Sequence, residues 1–238
     1  MGSAQTGKRE TYAAVRDVRM EASLTVAATR DVSIAVAVPL LWRTITSGDA
    51  VRNAASIGDI DARVAYSTVR DGGEGLVLTL GLRAPTAPTQ FDALGRALSS
   101  ELQPGCGAVT PYIGAMHVKR VGEWTLRYGG SIVLPFSVRD APHPGDSIRG
   151  SATAQRRLLK QLAVRAGVSA RLDLTGEMRK GVDDPNSGGL VGYATVGVSA
   201  SPMPSVSMAI DTFVPAIQVL RGNHRESTVF ALSVGYAF

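Results

Sequence analysis

Over most of its length this chain places a bulky apolar residue at every second position and a small or polar one between, a period that only a β-strand can use. The pattern is clearest in three stretches. In the last eleven residues Phe230, Leu232, Val234, Tyr236 and Phe238 alternate with Val229, Ala231, Ser233, Gly235 and Ala237. Leu76, Leu78, Leu80 and Leu82 alternate with Val77, Thr79, Gly81 and Arg83. From Leu162 to Leu174 the apolar positions face Arg165, Gly167, Ser169, Arg171, Asp173, Thr175 and Glu177. A soluble β-protein turns its large residues into a core and its polar ones to water. Here the second face is too small and too weakly polar to make a good water surface, and it suits a crowded barrel interior.

Composition narrows the choice. The 238 residues are 45% hydrophobic and only 19% charged, which is apolar for a soluble protein. The longest clean apolar run, Ile34 to Trp42, contains Pro39 and falls short of the roughly 18 residues that a membrane helix needs. A soluble β-fold or a membrane β-barrel remains, the latter hiding its apolar residues from hydropathy scans by alternation. The net charge of +5 comes from 21 Arg and 4 Lys against 20 acids. Arg favours ion pairs inside a structure, and no basic run exceeds Arg156-Arg157, so nucleic acid is not an expected partner. The single cysteine, Cys106, excludes an intramolecular disulfide and a Cys-rich metal site. No phosphate loop, dinucleotide fingerprint or zinc spacing is present, so no cofactor or metal is expected. His117, His143 and His224 have no nucleophile and orienting group at recognisable spacing, which argues against an enzyme. Met1-Gly2-Ser3 reads as a cloning remnant with no leader after it, so an export signal is expected to have been removed.

Eleven strands are legible, and their connections alternate in length. Short ones fall at Ala28–Asp31, Asp71–Glu74, Arg120–Glu123, Leu159–Gln161 and Ser201–Pro204, and long ones at Thr46–Gly58, Ala84–Gly107, Arg139–Asp146, Arg179–Gly189 and Gln218–Ser227. This is the short-periplasmic, long-extracellular parity of an outer-membrane barrel. With the final strand running inward, Trp42, Tyr112, Phe136 and Phe230 fall at an outer level and Tyr66, Trp124, Tyr236 and Phe238 at an inner one, two girdles suited to two bilayer interfaces. The expectation is an all-β protein, one transmembrane antiparallel up-and-down β-barrel domain over residues 1–238, of about 12 strands, with 10 or 14 as alternatives. An even count requires either an irregular first strand in Gln5–Val15 or a strand beyond those legible here. Within the long outer loop 86–106, Phe91, Leu94, Leu98 and Leu102 predict a short amphipathic helix between Pro88 and Pro104.

The face opposite the bulky residues carries Arg19, Glu21, Arg43, Asp59, Asp61, Arg63, Arg83, His117, Lys119, Arg127, Arg149, Arg157, Arg165, Arg171, Asp173, Glu177 and Asp211. An Arg facing lipid at mid-bilayer costs about 2–4 kcal/mol, so these are expected to line the lumen. They can serve there as a ladder of ion pairs, or as a basic wall favouring anionic or polar solutes.

The closing strand, with its terminal Phe238 preceded by Tyr236, Val234, Leu232 and Phe230, resembles that of bacterial outer-membrane barrels, where such residues are read by the barrel assembly machinery. Two further segments resemble the outer-membrane transporter family of the MetA pathway of phenol degradation. One runs from Gly58-Asp59-Ile60 through the following strand pair to Ala84-Pro85-Thr86. The other runs from Pro104-Gly105 through Tyr112-Ile113-Gly114 to Leu134-Pro135-Phe136. Ala87 stands where that family usually has Gly. The resemblance implies a porin-like channel, for small aromatic or other hydrophobic compounds, and transfers no catalytic residue. Two functions are in view: passive transport of small solutes through a narrow Arg-rich lumen, and a non-conducting barrel that displays its loops. Either is expected in the outer membrane of a Gram-negative bacterium, as a monomer among outer-membrane lipid and lipopolysaccharide.

Overall fold

The computed structural model describes residues 2–4, 13–47, 50–69, 73–90, 103–137, 143–179, 181–185, 187–222 and 225–237. In chain order the strands are β1 (Gly2–Ala4), β2 (Ala13–Ala27), β3 (Val32–Ser47), β4 (Ala50–Ile57), β5 (Ile60–Ser67), β6 (Gly75–Ala84), β7 (Ala108–Val121) and β8 (Trp124–Val133). They continue as β9 (Phe136–Ser137), β10 (Ser147–Leu159), β11 (Leu162–Asp173), β12 (Glu177–Arg179), β13 (Val182–Asp183), β14 (Gly189–Met203), β15 (Val206–Leu220), β16 (Arg225–Glu226) and β17 (Val229–Tyr236). The helix expected over Phe91–Leu102 lies outside the described residues.

One antiparallel sheet takes in all but the small β12–β13 hairpin, and its long strands follow one another in the order β2-β3-β5-β6-β7-β8-β10-β11-β14-β15-β17. That is an up-and-down wall in which each long strand pairs with its sequence neighbour, with eleven long strands among the described residues. The connection Thr46–Gly58, read from the sequence as a loop, is built as β4, which folds back on the outer half of β3 in the register Ser47↔Ala50 to Leu40↔Ile57. The inner half of β3 pairs instead with β5, from Ala37↔Asp61 to Val32↔Tyr66.

Exposure shows which way the wall faces. Leu80 is 63% exposed, Val168 60%, Ile113 59% and Leu232 70%, whereas Ala35 and Ala37 on the other face are 5% and 2% exposed. In water, leaving each such Leu out of a core would forgo about 1.5–3 kcal/mol. A hydrocarbon surround removes that penalty, and the inverted arrangement is the one a membrane barrel requires. Trp42, Phe136 and Phe230 stand exposed at the outer level, and Tyr66, Trp124 and Tyr236 at the inner level. Tyr112 departs from this scheme by turning inward, and Phe238 lies outside the described residues.

The two end strands of the wall, β2 and β17, both run from the outer side to the inner side. Among the described residues they are linked only at the outer rim, where β1 pairs with β2 (Gly2↔Val15) and with β16 (Gly2↔Glu226). Below that point, among the described residues, Val18–Ala27 of β2 has a hydrogen-bonded neighbour only in β3, and β17 only in β15.

Candidate functional site

Small residues on the inner face leave space at the centre of the wall. Thr79, Gly114, Gly129, Ser131, Ser151 and Ser169 bound a cavity of about 560 Å³ into which Arg19, Glu21, Asp61, Arg63, Arg83, Tyr112, Arg149, Arg171 and Tyr193 also project. These come from eight strands, so the wall wraps around the cavity. A second cavity of about 350 Å³ lies toward the outer ends, bounded by Thr110, Pro144, Ser147, Asp173, Gly188 and Glu226 among others. Arg83, Val133, Arg149 and Arg171 line both, and so stand at the boundary, or neck, between the two chambers.

Many of the inward charges are paired. Arg165 reaches over β14 to form a bidentate pair with Asp211 on β15, the geometry in which a guanidinium binds a carboxylate most strongly. Arg171 holds Asp173 at 2.6 Å and also Glu226. Asp61 is shared, at 3.8 Å from Arg63 and 3.9 Å from Arg83, and its Oδ1 accepts the Tyr112 hydroxyl at 2.8 Å. Arg127 donates to Gln155 at 2.8 Å. Arg19 and Glu21 form an exposed pair at 3.2 Å on β2. Arg43 is buried, and Arg157 is exposed at the inner end of β10.

Tyr112 can lie against the wall because its cross-strand partner is Gly81. A Cβ there would sit 2.1 Å from the ring, so any other residue at 81 would push the ring into the cavity.

Four residues assigned to the lumen by alternation belong elsewhere. His117 and Lys119 sit opposite Leu76, Tyr128 and Leu126 on the outward face. There both stand 3.7 Å from Glu74, and the imidazole packs against the Tyr128 ring. They lie toward the inner rim, where an ion cluster meets headgroups rather than acyl chains, so outward charge is tolerated. Glu177 stands beyond the wall in the β12–β13 hairpin, because β11 ends at Asp173; it pairs with His143 at 3.5 Å and accepts the Gly181 N–H.

Asp59 is the fourth, and its placement explains a motif. Only 4% exposed, its carboxylate accepts the N–H of Ala87 at 3.1 Å through one oxygen and the N–H of Cys106 through the other. Thr86 donates to the Gly58 carbonyl at 3.1 Å and accepts the Ile60 N–H at 2.9 Å. Gly105 packs so closely that a Cβ would meet Asp59 Oδ1 at 2.3 Å. Gly58-Asp59-Ile60, Pro85-Thr86 and Pro104-Gly105 therefore meet as one latch, which pins both ends of the long outer loop to the start of β5. Burial of the Cys106 thiol, and then its contact with Asp59, pushes its pKa up. The thiol lies 3.1 Å from the Ala108 carbonyl oxygen and from Thr110 Oγ1.

Phe230, Leu232, Val234 and Tyr236 all point outward and are 64–75% exposed. Sequence reasoning missed Tyr112, Thr110, Tyr193 and Glu226 as cavity residues. Glu226 sits in a long connection, where alternation gives no direction. For Tyr112, a bulky ring opposite a glycine was the available signal.

No family model matches the chain, and no curated protein matches it. Among solved structures, the crystal structure of the COG4313 outer membrane channel from Pseudomonas putida F1 superposes with a TM-score of 0.71, covering 99% of this chain and 88% of that one at 14% sequence identity. At that identity the likeness is one of fold: this chain is built as an antiparallel up-and-down β-barrel wall of the kind that channel has.

Proposed function

We propose that the protein is a passive channel of the bacterial outer membrane, admitting small polar and anionic solutes through a narrow, Arg-rich lumen. The observation that carries this reading is the pair of chambers inside the wall, of about 560 and 350 Å³, which share Arg83, Arg149 and Arg171 at their common boundary. A barrel used only as a scaffold gains nothing from a basic interior left hollow, since filling it with apolar side chains would add packing. The oily outer face supports residence among outer-membrane lipid and lipopolysaccharide. The outward Phe230, Leu232, Val234 and Tyr236 of the closing strand support recognition by the assembly machinery.

The test is single-channel recording in planar bilayers with refolded protein whose gel mobility shifts on heating. Discrete conductance steps are the expected result. A folded but silent barrel would support the alternative, a scaffold that displays its loops.

A further inference from the structure

Resting on the channel reading, we infer that the neck is a binding site for small oxyanions, carboxylate or phosphate, with the Arg149 guanidinium as the group that engages them. The charges around the neck do not cancel. Arg171 is satisfied by Asp173 and Glu226, and Arg83 shares Asp61 with Arg63. Arg149 has no carboxylate partner among the described residues; its one hydrogen bond goes to the Ser147 hydroxyl at 3.4 Å. Four guanidiniums therefore face three carboxylates, and Arg149 is the one of the four with no carboxylate within ion-pair distance among the described residues.

The register makes this excess informative. Arg149 on β10 is directly opposite Arg171 on β11, on the same inward face. Like charges at directly opposed positions destabilise a sheet, and Ser131, on Arg149's other flank, offers no countercharge. Arg171 has its own carboxylates, so the group left for a solute is Arg149, whose planar fork matches the two oxygens of a carboxylate or phosphate. Since these residues line both chambers, a solute moving from one to the other passes within their reach. Low-dielectric walls concentrate the field there.

The test combines selectivity and block. In a salt gradient the wild-type channel prefers chloride to potassium. Arg149→Gln lowers that permeability ratio about tenfold, because removing a unit charge about 6 Å from the ion in a water-like medium changes anion and cation occupancy by about threefold each, in opposite directions. Succinate or inorganic phosphate added to one side interrupts the wild-type chloride current and leaves the Arg149→Gln current unaffected. Comparing the two probes shows which oxyanion the neck prefers. Arg149→Lys keeps the selectivity and weakens the block, since charge is retained and the fork is lost. A permeability ratio within twofold of wild type in Arg149→Gln, or block that survives the substitution, overturns the proposal. If the wild-type bilayer is silent the channel reading falls, and the site is then judged by melting of the folded protein in detergent. Stabilisation by succinate or phosphate over chloride at equal ionic strength, absent in Arg149→Gln, upholds the site, and no difference removes it.

Discussion

Replacing Asp59 with Ala should release the long outer loop without unfolding the barrel. The carboxylate is almost fully buried and accepts N–H groups from both ends of the loop, Ala87 and Cys106. Hydrogen bonds to a charged group contribute about 1.5–3 kcal/mol each, so losing two costs the closed loop at least about 3 kcal/mol. That raises the open population on the order of a hundredfold. Cys106 reports the opening. Its half-buried thiol is held against Thr110 and the Ala108 carbonyl, and should react slowly with a maleimide in detergent-solubilised wild type. Asp59→Ala should label faster by up to about a hundredfold, limited by the rate of a free thiol, while Asp59→Asn, whose amide oxygen can still accept one N–H, falls between. The pH dependence adds a second reading. Burial, and then the Asp59 carboxylate, raise the thiol's pKa. Its stabilising contribution is therefore complete below the ordinary thiol pKa and is lost as pH rises through the folded value. The latch weakens in alkali, and in Asp59→Ala the rise in labelling moves to lower pH. A variant that keeps its heat-modifiable mobility and labels at the wild-type rate would refute the latch.

Three further outcomes follow from the wall. Leu80→Arg, on the outward face at mid-strand, should lower stability in bilayers by about 2–4 kcal/mol, whereas Thr79→Arg, one residue away and inward, should fold at near wild-type yield into vesicles; equal yields would remove the assigned orientation. Arg165→Ala leaves the Asp211 carboxylate largely buried and unpaired, and should cost about 1–3 kcal/mol after allowance for partial exposure. Adding Asp211→Asn to Arg165→Ala should recover most of that in a melt, and failure to recover would mean the pair does not act as a unit. Gly81→Ala forces the Tyr112 ring off the wall, so unit conductance should fall, and Tyr112→Ala in the same chain should restore it.

The wall was legible because alternation fixes both strand and face wherever the two faces differ in bulk, as at Leu76–Leu82 and Leu162–Leu172. It failed on β7, where Tyr112, Met116 and Val118 look like a lipid face and His117 and Lys119 look like a lumen face. Position decides there. The polar pair lies at the inner rim beside Glu74, and the tyrosine lies flat over a glycine. Alternation also ran past the strand ends, assigning Asp59 and Glu177 to the lumen although the chain has by then left the wall. The ion pairs themselves were not readable, because Arg165–Asp211 and Arg171–Glu226 join residues 46 and 55 positions apart.

The odd number of long staves among the described residues has a consequence for the join of this wall. Neighbours that alternate up and down bring an eleven-membered circuit back to its start pointing the same way, so β2 and β17 cannot zip together as every other adjacent pair does. Any run of backbone that fills the gap must climb from the periplasmic side toward the cell surface, the direction in which β1 already travels for three residues at the top. Below β1, the backbone groups of β2 and β17 on the sides facing this gap have no strand partner among the described residues. In hydrocarbon an unpaired amide or carbonyl costs several kcal/mol, so whatever segment lies against them is what shuts the cylinder.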